Sequence, residues 1–136
     1  MDATFLAKAK TDFPELHFVN GKRYAFRPPK TVVFPSDMDD SESSFLLLLH
    51  EMGHALCEHK TFKTEVERLK MEVMAWEKAK ELARRYKVSI DEDLIQKELD
   101  TYRDWLHQKS RCPKCGLTRF QTPDGVFHCP RCDIIS

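Results

Sequence analysis

Residues 45–59, FLLLLHEMGHALCEH, restrict the possible folds of this chain more than any other segment. Five consecutive apolar residues open the segment, so a helix formed here must be buried on most of its sides. The same helix carries His50, Glu51 and His54, whose polar groups are costly to bury without partners. The fold must therefore enclose this helix in a core and also supply partners for these three side chains.

The spacing of His50 and His54 predicts a catalytic zinc site. Residues at i and i+4 of a helix lie on one face, about one turn apart, so a single zinc ion could reach both imidazoles. Glu51 points away from the ligand direction but stays close to it. There it could take a proton from an attacking water and pass it to a leaving amine. Gly53 leaves room for the backbone of a neighbouring element.

Such a site needs a third protein ligand. The candidates are His59, Glu65, Glu67, Glu72 and Glu77. His59 is discounted, because it lies five residues after His54 and no turn-forming glycine precedes it. A helix is predicted over residues 64–86, and only Glu65 and Glu72 fall inside its apolar stripe.

The alignment of the two predicted helices decides which of these two glutamates could reach the histidines. If the helices form an antiparallel hairpin turning near residues 60–61, the histidine pair faces Leu69. Helical side chains lean toward their own N-terminus, which favours Glu72. The alternative is that Glu72 is a boundary residue paired with a lysine.

The remaining pattern predicts an α+β fold with a small sheet, the His-Glu-x-x-His helix and further helices. Asn20-Gly21 indicates a two-residue hairpin between strands at residues 16–19 and 23–27. A third strand is expected at residues 31–34, and an acidic helix-start segment follows it. A short helix is expected at residues 2–11. A fourth helix is expected from about Ser89 to near His107, with a linker at residues 109–110.

Two Cys-x-x-Cys pairs near the C-terminus predict a second, structural zinc site. Each pair presents two sulfurs, and together they would complete a tetrahedron with no open position. A hairpin of residues 118–121 and 126–128 is expected around the turn sequence 122–125. The expected domains are residues 1–108, a zincin-like metallopeptidase domain, and 109–136, a zinc ribbon. The four ligands are Cys112, Cys115, Cys129 and Cys132.

The composition predicts a cytoplasmic protein that does not enter membranes. The 136 residues carry no formal net charge, and no run of about 18 apolar residues is present. The N-terminal residues do not resemble a secretory signal. Five cysteines, four of them in Cys-x-x-Cys pairs, favour metal ligation in a reducing compartment over disulfides.

The predicted ribbon is a poor candidate for nucleic-acid binding. It has five basic side chains and two acidic ones, Asp124 and Asp133, so its side chains carry an excess of positive charge. Four thiolates around one zinc ion would offset most of this positive charge. A role in docking or folding is therefore favoured, with nucleic acid as the lesser alternative. Phe120 and Phe127 could stack on bases or form the small core of the ribbon.

Two further roles stay open in the sequence. Cys57 could approach the metal as an inhibitory ligand, although a small buried side chain is the favoured interpretation. Peptide hydrolysis also needs a group that stabilises the oxyanion. Tyr86, Tyr102 and His107 are available, and spacing does not select among them.

The motif HEMGHALCEH, followed by a helix with Glu72 and Ala75, resembles the ImmA/IrrE-like zinc metallopeptidases of the gluzincin group. The resemblance covers about residues 15–85. It implies that His50, His54 and Glu72 bind zinc and that Glu51 is the catalytic base. Trp76 departs from the pattern, because many relatives have Asn or Asp there to support a ligand. SprT-like proteases, which also carry a zinc ribbon, are the weaker match because their third ligand is a histidine.

The predicted function is zinc-dependent hydrolysis of peptide bonds, with two zinc ions, one catalytic and one structural. The resemblance implies a regulatory or DNA-binding protein as substrate. The alternative is a non-catalytic zinc-binding adaptor or nucleic-acid-associated module.

Overall fold

The computed structural model describes residues 3–132 and shows an α+β fold with four helices and two small sheets. Asp2 and Asp133, which belong to the predicted first helix and the predicted ribbon, lie outside this range. None of the helices within it is both long and apolar enough to cross a membrane. The elements in chain order are α1 (Ala3–Asp12), β1 (His17–Gly21), β2 (Ala25–Arg27), β3 (Thr31–Pro35), α2 (Glu42–Leu56), α3 (Glu65–Tyr86), α4 (Glu92–Ser110), β4 (Phe120–Gln121) and β5 (Phe127–His128).

The chain divides into two compact units. The first comprises the residues up to Lys60 together with Glu72–Glu92, and the second comprises Thr61–Met71 and the residues from Asp93 onward. This division differs from the boundary expected after residue 108, because residues 61–71 and 93–108 group with the cysteine segment. The predicted linker at residues 109–110 is part of a helix, since α4 continues to Ser110.

The sheet of the first unit has the order β1-β3-β2, so the predicted hairpin between the first two strands is wrong. Strand β3 lies in the centre, parallel to β1 and antiparallel to β2. Asn20 and Gly21 are part of β1, and Gly21 lacks the positive φ that the predicted turn requires. The central strand is also the most apolar one, and its side chains Val32, Val33 and Phe34 are buried.

Helix α2 forms the centre of the first unit and packs against β2 and β3. It begins after Ser41, whose hydroxyl accepts a hydrogen bond from the Ser44 N–H and so satisfies one of the free donors at the helix start. It ends at Leu56, three residues before the predicted end at His59. Leu46, Leu48 and Leu49 are completely buried, as the apolar run predicts.

The predicted helix at residues 64–86 is confirmed as α3, and the fourth helix begins at Glu92 as α4. In the first unit, α3 buries Trp76, Ala79 and Ala83. The N-terminal part of the same predicted stripe is largely exposed at Val66. The apolar spacing therefore identified the helix correctly but overestimated how much of its length is buried.

The predicted cysteine-segment hairpin is confirmed in the second unit, where Phe120 pairs with His128 and Gln121 with Phe127. Gly125 closes the turn with a positive φ of 89°. The side chain of Gln121 accepts a hydrogen bond of 2.6 Å from the Glu65 N–H at the start of α3. Lys109 of α4 also forms an ion pair of 3.1 Å with Glu65. These contacts explain why residues 61–71 group with the cysteine segment.

Candidate metal centres

His50 and His54 lie on one face of α2, as their spacing predicts. Both are buried, and their ring centroids are 4.7 Å apart. The Nε2 atoms of both rings face the carboxylate of Glu72. They lie 3.0 Å (His50) and 3.2 Å (His54) from its oxygens.

Glu72 is the predicted third ligand that the structure brings to the histidines. His50 contacts Trp76, and His54, one turn later in α2, contacts Glu72, which lies one turn earlier in α3. Such contacts require antiparallel helices, as the register prediction assumed, but the histidine pair faces the segment from Glu72 to Trp76 and not Leu69 as expected. The described ion pairs of Glu72 are with the two imidazoles and not with a lysine, which was the alternative expectation.

The other glutamate candidates have partners elsewhere. Glu65 is paired with Lys109, and the Glu67 carboxylate accepts a hydrogen bond of 2.9 Å from the Lys63 N–H. Glu77 lies 3.5 Å from Lys80. The carboxylates of these residues therefore do not take part in the group formed by His50, His54 and Glu72.

The three side chains are arranged so that they could hold a metal ion. One ligand atom from each lies within 4.8 Å of the others. A tetrahedral site with zinc–nitrogen and zinc–oxygen distances of about 2.0–2.1 Å has ligand-to-ligand edges of about 3.3–3.4 Å. The observed separations of 3.0 and 3.2 Å come close to these edges. The donor set of two imidazoles and one carboxylate also fits zinc.

A glycine allows the two helices to approach this closely. A Cβ atom built on Gly53 would collide with the carbonyl oxygen of Ala75 and would lie 3.2 Å from its Cα. The backbones of α2 and α3 are thus in direct contact between the histidines and Glu72. The predicted role of Gly53 in admitting a neighbouring backbone is confirmed.

Burial and hydrogen bonding favour a neutral His50 and an ionised Glu72. Burial lowers the pKa of His50, although the hydrogen bond to Glu72 acts in the opposite direction. Burial alone would raise the pKa of Glu72, but hydrogen bonds from His50 and His54 outweigh it and hold the pKa well below its usual range. A neutral imidazole and an ionised carboxylate are the forms that bind a metal.

Aromatic rings enclose the two histidines. Trp76 stacks on His50 with a centroid distance of 4.0 Å, and Phe26 of β2 stacks on His54 at 5.6 Å. Trp76, which cannot accept a hydrogen bond from a ligand, therefore supports His50 through its ring face. Low polarity around such a group strengthens its electrostatic interactions.

Sequence reasoning missed the partner of His54. The Nδ1 atom of His59 lies 2.9 Å from Nδ1 of His54, on the side of the ring opposite Glu72. His59 is buried, and burial lowers its pKa. His59 is not a member of the group of His50, His54 and Glu72, as expected. One feature of the sequence could have indicated its contact with His54. His59 follows the helix closely enough for the chain to fold back onto the last turn.

Glu51 lies beside the metal-type group without belonging to it. Its carboxylate oxygen is 3.9 Å from Nε2 of His50. The side chain is partly exposed, so water could reach it. This position beside His50 is the one that the sequence predicts for Glu51.

Other predicted contributors have partners outside this group. The hydroxyl of Tyr86 donates a hydrogen bond of 2.6 Å to Asp12, and Tyr102 stacks against the guanidinium of Arg68 in the second unit. The thiol of Cys57 is 3.9 Å from the carbonyl oxygen of Met74 and is outside the metal-type group. The structure thus brings none of these side chains into the group of His50, His54 and Glu72.

The four cysteines form the second group that could hold a metal ion, as predicted. The sulfurs of Cys112 and Cys132 are 3.8 Å apart, and those of Cys115 and Cys129 are 3.5 Å apart. A zinc–sulfur distance of about 2.3 Å in a tetrahedron gives edges of about 3.8 Å. The four-sulfur donor set and these separations fit zinc.

Backbone N–H groups favour the thiolate form at one end of this cluster. The N–H groups of Cys115 and Lys114 lower the pKa of Cys112 to about 6. At the other end, burial and then the neighbouring cysteine sulfurs raise the pKa of Cys132 to about 12. Four thiolates this close together need a cation to offset their mutual repulsion, and a bound metal would provide it.

No protein-family model matches the chain, and neither a curated protein nor a solved structure matches it. The resemblance to the ImmA/IrrE-like metallopeptidases therefore rests on the sequence motifs.

Proposed function

We propose that this chain is a zinc-dependent peptidase of the cytoplasm, with a zincin-like catalytic fold and a second, structural zinc ion in the cysteine cluster. The observation that carries the proposal is the convergence of His50, His54 and Glu72, with the carboxylate of Glu51 beside them. Three protein ligands leave the fourth position of a tetrahedron for water or substrate, which distinguishes a catalytic zinc site from a closed structural one.

Each side chain has a separate task in this proposal. His50, His54 and Glu72 would hold the ion, and Trp76 and Phe26 would keep the two imidazoles in place. Zinc bound there would polarise the scissile carbonyl and lower the pKa of water to about 7. Glu51 would accept a proton from the attacking water at its carboxylate and then deliver it to the leaving amine.

Strand β2 is the best-placed element to hold the substrate. Strand β3 is paired on both sides and has no free edge. Strand β2 pairs only with β3 among the described strands, and its Phe26 stacks on His54. An extended peptide could add to this edge through main-chain hydrogen bonds. By family resemblance, the peptide would belong to a regulatory or DNA-binding protein.

The variant Glu51→Gln tests the catalytic proposal. The full chain loaded with zinc would be incubated with a library of internally quenched peptides, and cleavage followed by fluorescence. We expect Glu51→Gln to keep the zinc content of the wild type and to lose about 10²–10⁴-fold in rate, because the proton acceptor is gone. Glu42→Gln, which alters an exposed glutamate in the first turn of α2, is the matched control and should cleave normally.

A wild-type protein that holds two zinc ions but cleaves no peptide of the library, or a Glu51→Gln variant that cleaves as fast as the wild type, would contradict the catalytic role. The first of these results would favour the non-catalytic adaptor. One observation supports that alternative, since the Glu72 carboxylate lies within hydrogen-bond distance of both histidines and could satisfy them without an ion.

A further inference from the structure

The backbone turn after α2 returns His59 to the end of the helix. Glu58 has a positive φ of 58°, which reverses the chain directly after the helix cap at Cys57. The N–H of His59 then donates a hydrogen bond of 3.1 Å to the carbonyl oxygen of His54. This reversal is stabilised further by Lys30, whose ammonium lies 3.3 Å from the carbonyl oxygen of Ala55 and 3.7 Å from the Glu58 carboxylate.

The reversal brings two imidazoles together edge to edge. Nδ1 of His59 lies 2.9 Å from Nδ1 of His54, and both rings are buried. At this distance one nitrogen must donate and the other must accept, because two bare lone pairs would repel each other. When Nε2 of His54 donates to Glu72 it cannot bind a metal, so metal binding requires Nε2 to be without a proton. The proton of His54 then resides on Nδ1, and His59 is the acceptor.

We propose that His59 is a positioning residue that fixes the tautomer and ring orientation of His54 for metal binding. Metal-binding histidines usually donate their second ring N–H to a carboxylate, a carbonyl group or water. Here the acceptor is another histidine. The inference rests on the metal site of the proposed function but does not depend on peptide hydrolysis.

The arrangement is specific to one of the two histidines. Nδ1 of His50 is buried and has no hydrogen-bond partner among the described side chains, and its ring is held by stacking on Trp76. His54 has both a stacking partner, Phe26, and a hydrogen-bond partner. Loss of His59 should therefore affect His54 in a way that no other described contact replaces.

Two substitutions separate hydrogen bonding from packing. His59→Gln keeps an acceptor, whereas His59→Phe fills the space without one. Zinc affinity would be measured by competition with a chromophoric chelator on the full chain, with the cysteine site as internal reference. We expect His59→Phe to weaken binding at the first site by about 10–100-fold and His59→Gln to recover most of that loss. His17→Phe, at an exposed histidine of β1, is the control.

A spectroscopic measurement tests the tautomer itself. Long-range proton–nitrogen NMR spectra of the zinc-loaded, ¹⁵N-histidine-labelled chain distinguish protonated from bare ring nitrogens. In the wild type, His54 should carry its proton on Nδ1 with slow solvent exchange. In His59→Phe that proton should exchange faster, a change that loss of packing alone would not cause in a folded variant.

The outcomes separate this inference from the proposed function. Equal zinc affinity in His59→Phe and the wild type, or equal losses in the Phe and Gln variants, would overturn the positioning role. So would a proton found on Nε2 of His54 in the zinc-loaded protein. If the affinities follow the expected order but no peptide is cleaved, the peptidase proposal fails and the role of His59 stands.

Discussion

At the scale of single residues, the absence of a side chain at Gly53 sets the distance between the two helices at the candidate site of His50, His54 and Glu72. Gly53 lies between His50 and His54 in the chain, and its Cα faces the backbone of Ala75. Any larger residue would push α2 and α3 apart just where the ligands from both helices meet. The close packing of protein interiors leaves little room to absorb such a shift.

The variant Gly53→Ala should therefore reverse the usual effect of this substitution. In an open helix, Gly→Ala stabilises by about 1 kcal/mol. Here overpacking should instead lower the free energy of unfolding by about 1–3 kcal/mol and reduce zinc binding at the first site. Urea denaturation and metal analysis would measure both, with Ser43→Ala on the exposed side of α2 as the control. A more stable variant with normal zinc content would refute the close contact.

Glu72 and Glu65 offer a matched pair for the third ligand. Both are buried carboxylates of α3, but Glu72 faces the histidines and Glu65 pairs with Lys109. We expect Glu72→Gln to weaken zinc binding at the first site, since a charged oxygen ligand is lost, and Glu65→Gln to leave it unchanged. Chelator competition measures both affinities. Equal affinities in the two variants would remove Glu72 from the ligand set.

At the scale of elements, helices could be predicted from the sequence better than strand pairing. Helical periodicity is local, so the three site residues could be found from two helical faces and one assumed register. Strand order depends on contacts between distant residues, and Asn20-Gly21 was misleading for that reason. The position of His59 depends on a positive φ at Glu58. Glutamate rarely adopts this conformation, so the turn could not be predicted from the residue type.

Helix α1 is joined to α3 through contacts that should depend on pH. Phe5 packs edge-on against Tyr86 with a centroid distance of 5.6 Å, and the Tyr86 hydroxyl donates a hydrogen bond to Asp12. Burial, followed by the hydrogen bond to Asp12, raises the pKa of Tyr86 to about 12. An unfolded tyrosine ionises near pH 10, so between about pH 10 and 12 only the unfolded chain has lost this proton.

This stabilisation is complete below about pH 10 and should be lost as the pH rises toward 12. The variant Tyr86→Phe should be less stable than the wild type at pH 8, and its stability should fall less steeply above pH 10. Urea denaturation at a series of pH values would measure this, with Tyr102→Phe as the control. Parallel stability curves for Tyr86→Phe and the wild type would contradict the assignment.

At the scale of the whole molecule, the two candidate metal sites have different donor sets and should load separately. We expect two zinc ions per chain in the wild type and one in each of His50→Ala and Cys112→Ala, because each substitution removes a ligand from only one group. Metal analysis after gel filtration measures the content. His107→Ala is the control and should retain both ions. Loss of both ions in either ligand variant would show that the sites depend on each other.

The cysteine site should also contribute more to folding than the first site. The hairpin of β4 and β5 has only two residues in each strand, too few to be stable without support. A structural zinc ion supplies folding free energy to such a module. Four buried or half-buried sulfurs, brought together from two knuckles, are the contacts through which it would do so.

The stacking of Trp76 on His50 also provides an intrinsic optical probe. The chain has two tryptophans; Trp76 is almost completely buried against the imidazole, whereas Trp105 is 39% exposed. An ion captured by His50 would alter the electric field across the Trp76 indole and hence its emission. With Trp105 replaced by phenylalanine, the fluorescence of the chain would follow the filling of one metal centre in real time, without a label or a substrate.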